Sequence, residues 1–122
     1  MDDVPRRKLL GLLGLGVRGR TAVVGIEQVR NAAQRGKLAL AVVAPDASEN
    51  SRDKVLPLLR ARRIRIIEGP TAEELGNAVG RQSTAAVGVV DHNLARGIRA
   101  VVDAGSEGSQ ESGPGGTQRR KA

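Results

Sequence analysis

An unbroken apolar run, Leu38-Ala-Leu-Ala-Val-Val-Ala44, stops abruptly at Pro45 and is followed by Asp46, Ser48 and Asn50. A run without polar alternation fits a strand covered on both faces, and the polar residues after it can cap a helix. The pattern predicts a buried central strand that delivers the chain into a helix N-terminus. Shorter apolar or β-branched runs at Thr21–Val24, Ile64–Ile67 and Ala85–Val90 predict three further strands. Helical spacing predicts helices over Arg6–Leu15, Ile26–Arg35 with Gly36 as C-cap, Ser51–Arg62 with a kink at Pro57, and Leu94–Asp103 capped by Asp91 or Asn93. Thr71-Ala-Glu-Glu74 fits a capping box and opens a helix that ends near Gly80. Strict alternation of the two element types predicts an α/β fold, a three-layer α-β-α sandwich. Its four-stranded central sheet is expected to be mainly parallel, or else mixed.

Length and composition narrow this picture. The 122 residues suit one domain, placed at residues 6–104, with residues 1–5 and the Gly/Ser-rich, basic-ended stretch 105–122 expected to be disordered. There is no Phe, Tyr or Trp, so the core is aliphatic and base stacking on aromatic rings is excluded. There is no cysteine, which excludes disulfides and thiolate metal sites. Val4–Val17 has the basic start and apolar middle of a signal peptide, but glycines and Arg18 interrupt it, so a cytoplasmic location is expected. No apolar run approaches the roughly 20 residues needed to cross a bilayer. The net charge of +7 is uneven: residues 6–65 hold fourteen Arg or Lys against four Asp or Glu. That imbalance points to a polyanionic partner.

Candidate chemistry is sparse. Gly14-Leu-Gly16-Val-Arg-Gly19 matches a dinucleotide-binding spacing, but the order is inverted, with a helix before it and a strand after it, so it reads as a flexible glycine turn. His92 is the only histidine, and it has neither a partner nucleophile nor further ligands around it. Glu73 and Glu74 suit the first turn of a helix better than a catalytic pair. The basic cluster Arg60–Arg65 covers a helix C-terminus. Arg119–Lys121 could add loose electrostatic affinity for nucleic acid. What remains is a surface of three loops: Gly25–Gln28 and Pro45–Asn50, each at a helix start, and Arg81–Thr84. Helix N-termini offer free N–H groups to phosphate, and the Ser, Thr, Asn and Gln side chains can bond to sugars and base edges.

The ordered series Gly25…Val29…Ala32…Arg35-Gly36, Leu40-Ala-Val-Val-Ala-Pro-Asp-Ala-Ser-Glu-Asn50 and Glu74-Leu-Gly-Asn-Ala-Val-Gly80 resembles the kink-turn-binding ribosomal proteins, the L-seven-Ae/L-thirty-e family, over residues 6–104. It is closest to the small bacterial members. The resemblance implies an α-β-α sandwich that binds structured, ribosomal or kink-turn-like RNA without catalysis, in ribosomal or other ribonucleoprotein particles. From the residues themselves, no cofactor, metal, membrane or small-molecule substrate is expected. The RNA-binding residues would be Gly25, Glu27, Gln28, Arg30, Asn31 and Lys37, then Pro45, Asp46, Ser48 and Asn50, then Arg81, Gln82, Ser83 and Thr84. The chain departs from the family's RNA-reading pattern Gly-x-Asn-Glu-x-x-Lys, where it carries Gly25-Ile-Glu27-Gln28-Val-Arg-Asn31. Glu27 accepts hydrogen bonds but cannot donate, and its charge repels phosphate. Asn31 removes a cation, which Arg30 could partly restore. This departure leaves a second expectation open: a protein-interaction module that kept the fold and lost kink-turn recognition.

Overall fold

The computed structural model describes residues 1–110, and the expected disorder of 111–122 lies outside them. The elements are α1 Asp3–Arg18, β1 Ala22–Val24, α2 Ile26–Gln34, β2 Leu40–Val43, α3 Glu49–Ala61, β3 Arg65–Ile67, α4 Ala72–Ala78, β4 Ala86–Val89 and α5 His92–Gln110. The strands form one sheet in the order β1-β4-β2-β3. Alternate residues of β2 serve the two faces, as pleating requires. Leu40 and Val42 pack with Leu9 and Leu13 of α1, Leu75 of α4 and Ile98 of α5. Ala41 and Val43 pack with Val29 and Ala33 of α2 and with Val55 and Leu59 of α3. All four residues of β2 are fully buried, as the unbroken apolar run predicted. At about 1.5–3 kcal/mol for each large aliphatic side chain taken out of water, these two aliphatic layers supply the main driving force of the fold.

The sheet is mixed, the second of the two expected arrangements, and not mainly parallel. β2 and β3 are parallel, whereas β4 runs antiparallel to both of its neighbours. The cause lies in α4, which does not carry the chain across the sheet. The Thr84 N–H donates to the carbonyl of Ala72 at 3.0 Å, so the segment after β3 starts and finishes at the same sheet end. β4 has to run back from there. Alternation of helix and strand establishes strand direction only when each helix spans the sheet.

Both ends of the chain also differ from expectation. α1 begins at Asp3, inside the stretch expected to be disordered, where Asp3 adds a negative charge to the first turn and pairs with Arg6 at 2.8 Å and Arg7 at 3.2 Å. α1 also continues through Gly14 and Gly16, which are buried helical residues and not a turn. A Cβ on Gly14 would lie 2.7 Å from the carbonyl oxygen of Ala78, so this glycine lets α1 and α4 approach closely. At the other end α5 runs on to Gln110, past the apolar periodicity that predicted its end at Asp103. Helix propagation adds one hydrogen bond per residue and outlasts the apolar face that nucleates it. Pro57 lies within α3 without ending it.

Two glycines of α1 are expected to respond oppositely to alanine. Gly14→Ala overpacks the α1–α4 contact and lowers stability by about 1–3 kcal/mol. Gly11 has open space where a Cβ would go, so Gly11→Ala raises stability by about 0.5–1 kcal/mol through helix propensity. Urea denaturation midpoints decide the matter, and equal effects at the two positions would show that the close approach is unimportant.

Candidate nucleic-acid interface

Three loops meet at the sheet end where β1 and β2 finish and β4 starts. The Gly25 N–H donates to the Ala86 carbonyl at 2.9 Å, and the Ala44 N–H donates to the Ala85 carbonyl at 2.8 Å. Gly25 has φ +100°, a backbone turn that side-chain-bearing residues rarely adopt, and it swings the chain from β1 directly into α2. Helices α2, α3 and α4 all begin here. The N-cap of α3 is Ser48, whose Oγ accepts from the Ser51 N–H at 3.1 Å. α4 has the full capping box, Thr71 Oγ1 accepting from Glu74 N–H at 3.1 Å and Glu74 Oε1 accepting from Thr71 N–H at 2.9 Å. Asp46 reaches across from the β2–α3 loop to accept from the Ala72 N–H at 2.8 Å. Of the three helices, α2 alone has no side-chain cap, so its first-turn N–H groups are left for solvent or a ligand.

The loop 80–84 is built by close packing. Gly80 has φ +82°, and the Arg81 N–H donates to the Gly76 carbonyl at 2.7 Å. A Cβ on Gly76 would lie 2.3 Å from the Ser83 Cα, so only glycine allows the loop to lie against α4. The Thr84 hydroxyl donates to the Ala86 carbonyl at 3.2 Å. Neither Gly76 nor the bracing residue Arg52 figured among the predicted site residues. The Arg52 guanidinium donates to the Ala44 carbonyl at 3.2 Å and pairs with Glu68 at 3.0 Å, tying α3 to the end of β2. A glycine inside the short apolar pattern of α4 was the available signal for a close approach.

The structure brings most of the predicted residues to this edge. Gly25, Glu27 and Gln28 stand at the start of α2, Pro45, Asp46, Ser48 and Asn50 at the start of α3, and Arg81, Gln82, Ser83 and Thr84 on the third loop. Glu27, Gln28 and Asn31 are exposed, with Asn31 one turn further along α2. Arg30 does not restore a cation here, because its guanidinium donates to the Lys54 carbonyl of α3. Lys37 is placed at the opposite end of the sheet. Its N–H donates to the Ala32 carbonyl after α2 has crossed the sheet, two residues before Ala39 bonds to Val89. The charge of the edge is also not the one the basic first half suggested. Glu27, Asp46, Glu49, Glu68, Glu73 and Glu74 lie on it, against Arg6, Arg52 and Arg81.

The profile of the Ribosomal protein L7Ae/L30e/S12e/Gadd45 family matches residues 7–102. The chain belongs to this family. Among solved structures, it is similar to a protein with unknown function from Bacillus halodurans, at 32% identity and a TM-score of 0.72, over 79% of this chain and 97% of that one. It also shares its fold with the Giardia lamblia 15.5kD RNA binding protein, at 19% identity and a TM-score of 0.70, over 85% of this chain and 89% of that one. No curated protein matches the sequence. Within the L7Ae/L30e/S12e/Gadd45 family frame, Glu27 and Gln28 occupy the first turn of the uncapped helix α2.

The Gly76–Ser83 contact predicts a localised response. In Gly76→Ala, the Thr84 amide should exchange with deuterium about tenfold faster or more, as for a local weakening of about 1.4 kcal/mol, while amides of β2 keep their protection. Unchanged exchange at Thr84 would rule out this packing as what holds the loop.

Proposed function

We propose that the chain is a non-enzymatic, ribosomal-protein-like RNA-binding protein that takes structured RNA at the loop edge around the N-terminus of α2. The observation that carries this reading is the convergence of the uncapped α2 N-terminus with the Pro45–Asn50 and Arg81–Thr84 loops on one sheet end. Family membership and the fold shared with a Giardia protein named for RNA binding support it. With no aromatic side chain, recognition works through shape and hydrogen bonds: first-turn N–H groups to phosphate, and Gln28, Gln82 and Ser83 to sugars and base edges. Its partners would be ribosomal RNA or components of a ribonucleoprotein particle in the cytoplasm.

Glu27 and Asn31 set the limit of kink-turn reading. A carboxylate at the first turn of α2 stabilises the helix but repels an approaching phosphate. This favours RNA other than a standard kink-turn, and it also supports a second reading, a protein-interaction module that has left RNA behind. The triple change Glu27→Asn, Gln28→Glu, Asn31→Lys tests that limit on kink-turn reading, and RNA binding by the parent separates the two readings. Because each base-reading pair is worth about 1–3 kcal/mol, the triple variant should gain at least about tenfold in kink-turn affinity over the parent. The parent should bind ribosomal RNA fragments at low salt. Lacking Trp, Tyr and Phe, the protein has almost no near-ultraviolet band of its own, so co-purifying RNA is directly visible. A parent that purifies free of RNA and binds no ribosomal fragment at low salt decides for the interaction module.

A further inference from the structure

The cations missing from the loop edge are gathered at the other end of the sheet. The Val90 N–H donates to the Thr21 carbonyl at 2.9 Å, the Ala39 N–H donates to the Val89 carbonyl at 2.7 Å, and Leu40 is in register with Arg65. One row across all four strands therefore receives the connections that follow α1, α2 and α3. Those connections and the helix ends they leave carry Arg18, Arg20, Arg35, Lys37, Arg62 and Arg63, every one exposed. None of the six side chains has an ion-pair or hydrogen-bond partner among the described residues. The acids beside them are Asp91 and Asp103, and both are engaged: the Asp91 carboxylate accepts from the Leu94 N–H at 2.8 Å, and Asp103 pairs with Arg65 at 2.8 Å.

The plain account of such a cluster is that cations suit helix C-termini. Here it falls short on two counts. Three helix ends of about half a negative charge each are outnumbered by six full positive charges. The terminal carbonyls are also already satisfied by backbone donors: Leu15 by Gly19, Ala33 by Gly36, and Leu58 by Arg62. The fold does not use these side chains, and their mutual repulsion works against it. Two of them, moreover, sit where an arginine is sterically disfavoured. Arg20 at φ 63° and Arg63 at φ 57° are the two non-glycine residues in the left-handed region among the described residues. Glycine or asparagine fits those turns without strain. An exposed arginine at such a position contributes charge and donors, not backbone geometry.

We propose that Arg18, Arg20, Arg35, Lys37, Arg62 and Arg63 form a sequence-independent RNA-phosphate surface, at the sheet end opposite to the loop edge. Five of the six are arginines, whose planar fork matches phosphate oxygens in pairs. Three strand spacings of about 4.8 Å give the row a width near 14 Å, enough to follow a backbone across several phosphates. A membrane surface fits less well, because docking there needs a wide apolar helix face, and the inward face of α1 is spent on the core through Leu9 and Leu13. The phosphate surface stands independently of the loop edge, and its test is independent of base reading.

The probe is a plain A-form RNA duplex of about 20 base pairs with no loop or bulge, titrated over a salt series. The full-length chain is compared with a variant carrying Arg20→Asn, Lys37→Gln, Arg62→Gln and Arg63→Asn. Asparagine suits the two left-handed turns, so the variant should keep its circular dichroism and thermal midpoint. It should bind the duplex at least about tenfold more weakly at low salt, with the slope of log affinity against log salt flattened by about three. A second variant, Arg7→Gln, Lys8→Gln and Lys54→Gln, removes a comparable charge elsewhere and should keep the parental slope. Replacing Arg20, Arg62 and Arg63 by Lys should also keep most of the slope. The proposal is overturned if the first variant binds the duplex as the parent does, or if the two neutralised variants weaken equally. It is overturned as well if the parent is captured by phosphatidylglycerol vesicles while leaving the duplex unbound. A parent that binds a ribosomal fragment no more tightly than the plain duplex, both weakened alike in the first variant, supports this surface and counts against the loop edge. A parent that binds the fragment but not the duplex counts against this surface alone.

Discussion

Everything at the loop edge depends on the chain being able to double back on α4 within a few residues. The backbone of Ser83 lies where a side chain on Gly76 would be, and the Thr84 N–H closes the excursion on the Ala72 carbonyl. That reversal makes β4 antiparallel, sets it between β1 and β2, and lays the 80–84 loop beside the start of α2. Were α4 a full crossover helix, the loop would lie at the far end and the three segments would not meet. The packing of a glycine thus decides both the sheet topology and the composition of the candidate interface.

The resulting molecule is polarised along its strands. Acidic residues and the uncapped helix N–H groups of α2 share one end, while exposed arginines and helix carbonyls share the other. Each end combines a dipole of one sign with side chains of the opposite sign, which stabilises the helices locally. On the basic end, side-chain charge far exceeds what the dipoles require. On the loop edge, the carboxylates of Asp46 and Glu74 are engaged in capping, so exposed Glu27 is the charge a ligand meets at the first turn of α2.

Legibility of the fold from sequence followed the range of the interactions involved. The buried strand at Leu38–Ala44, the capping box at Thr71–Glu74 and the Asp91 cap are local patterns, and all were readable. The direction of β4 was not, because apolar runs report burial and carry no sign for strand polarity. Gly14 and Gly16 read as a turn because their reason, the nearness of α4 and α5, lies far away in sequence. The same limit applies to the site. The loops were readable as helix starts, but Lys37 and Arg30 were grouped with them by proximity along the chain. The structure sends one to the far end of the sheet and the other onto α3. Net charge by sequence half misled for the same reason, since successive loops alternate between sheet ends.

The position of β4 also imposes an order on how the chain can be assembled during synthesis. β1 is an edge strand whose sheet partner is β4, more than sixty residues later in the chain, and β1 and β2 do not touch until β4 separates and joins them. The parallel β2–β3 pair closes early around α3, while β1 stays without its sheet partner until residue 89 has been made. Such late, long-range closure is slow and leaves an unpaired strand exposed in the nascent chain. In β1 that exposure is confined to three residues, too short a strand to template association with another chain.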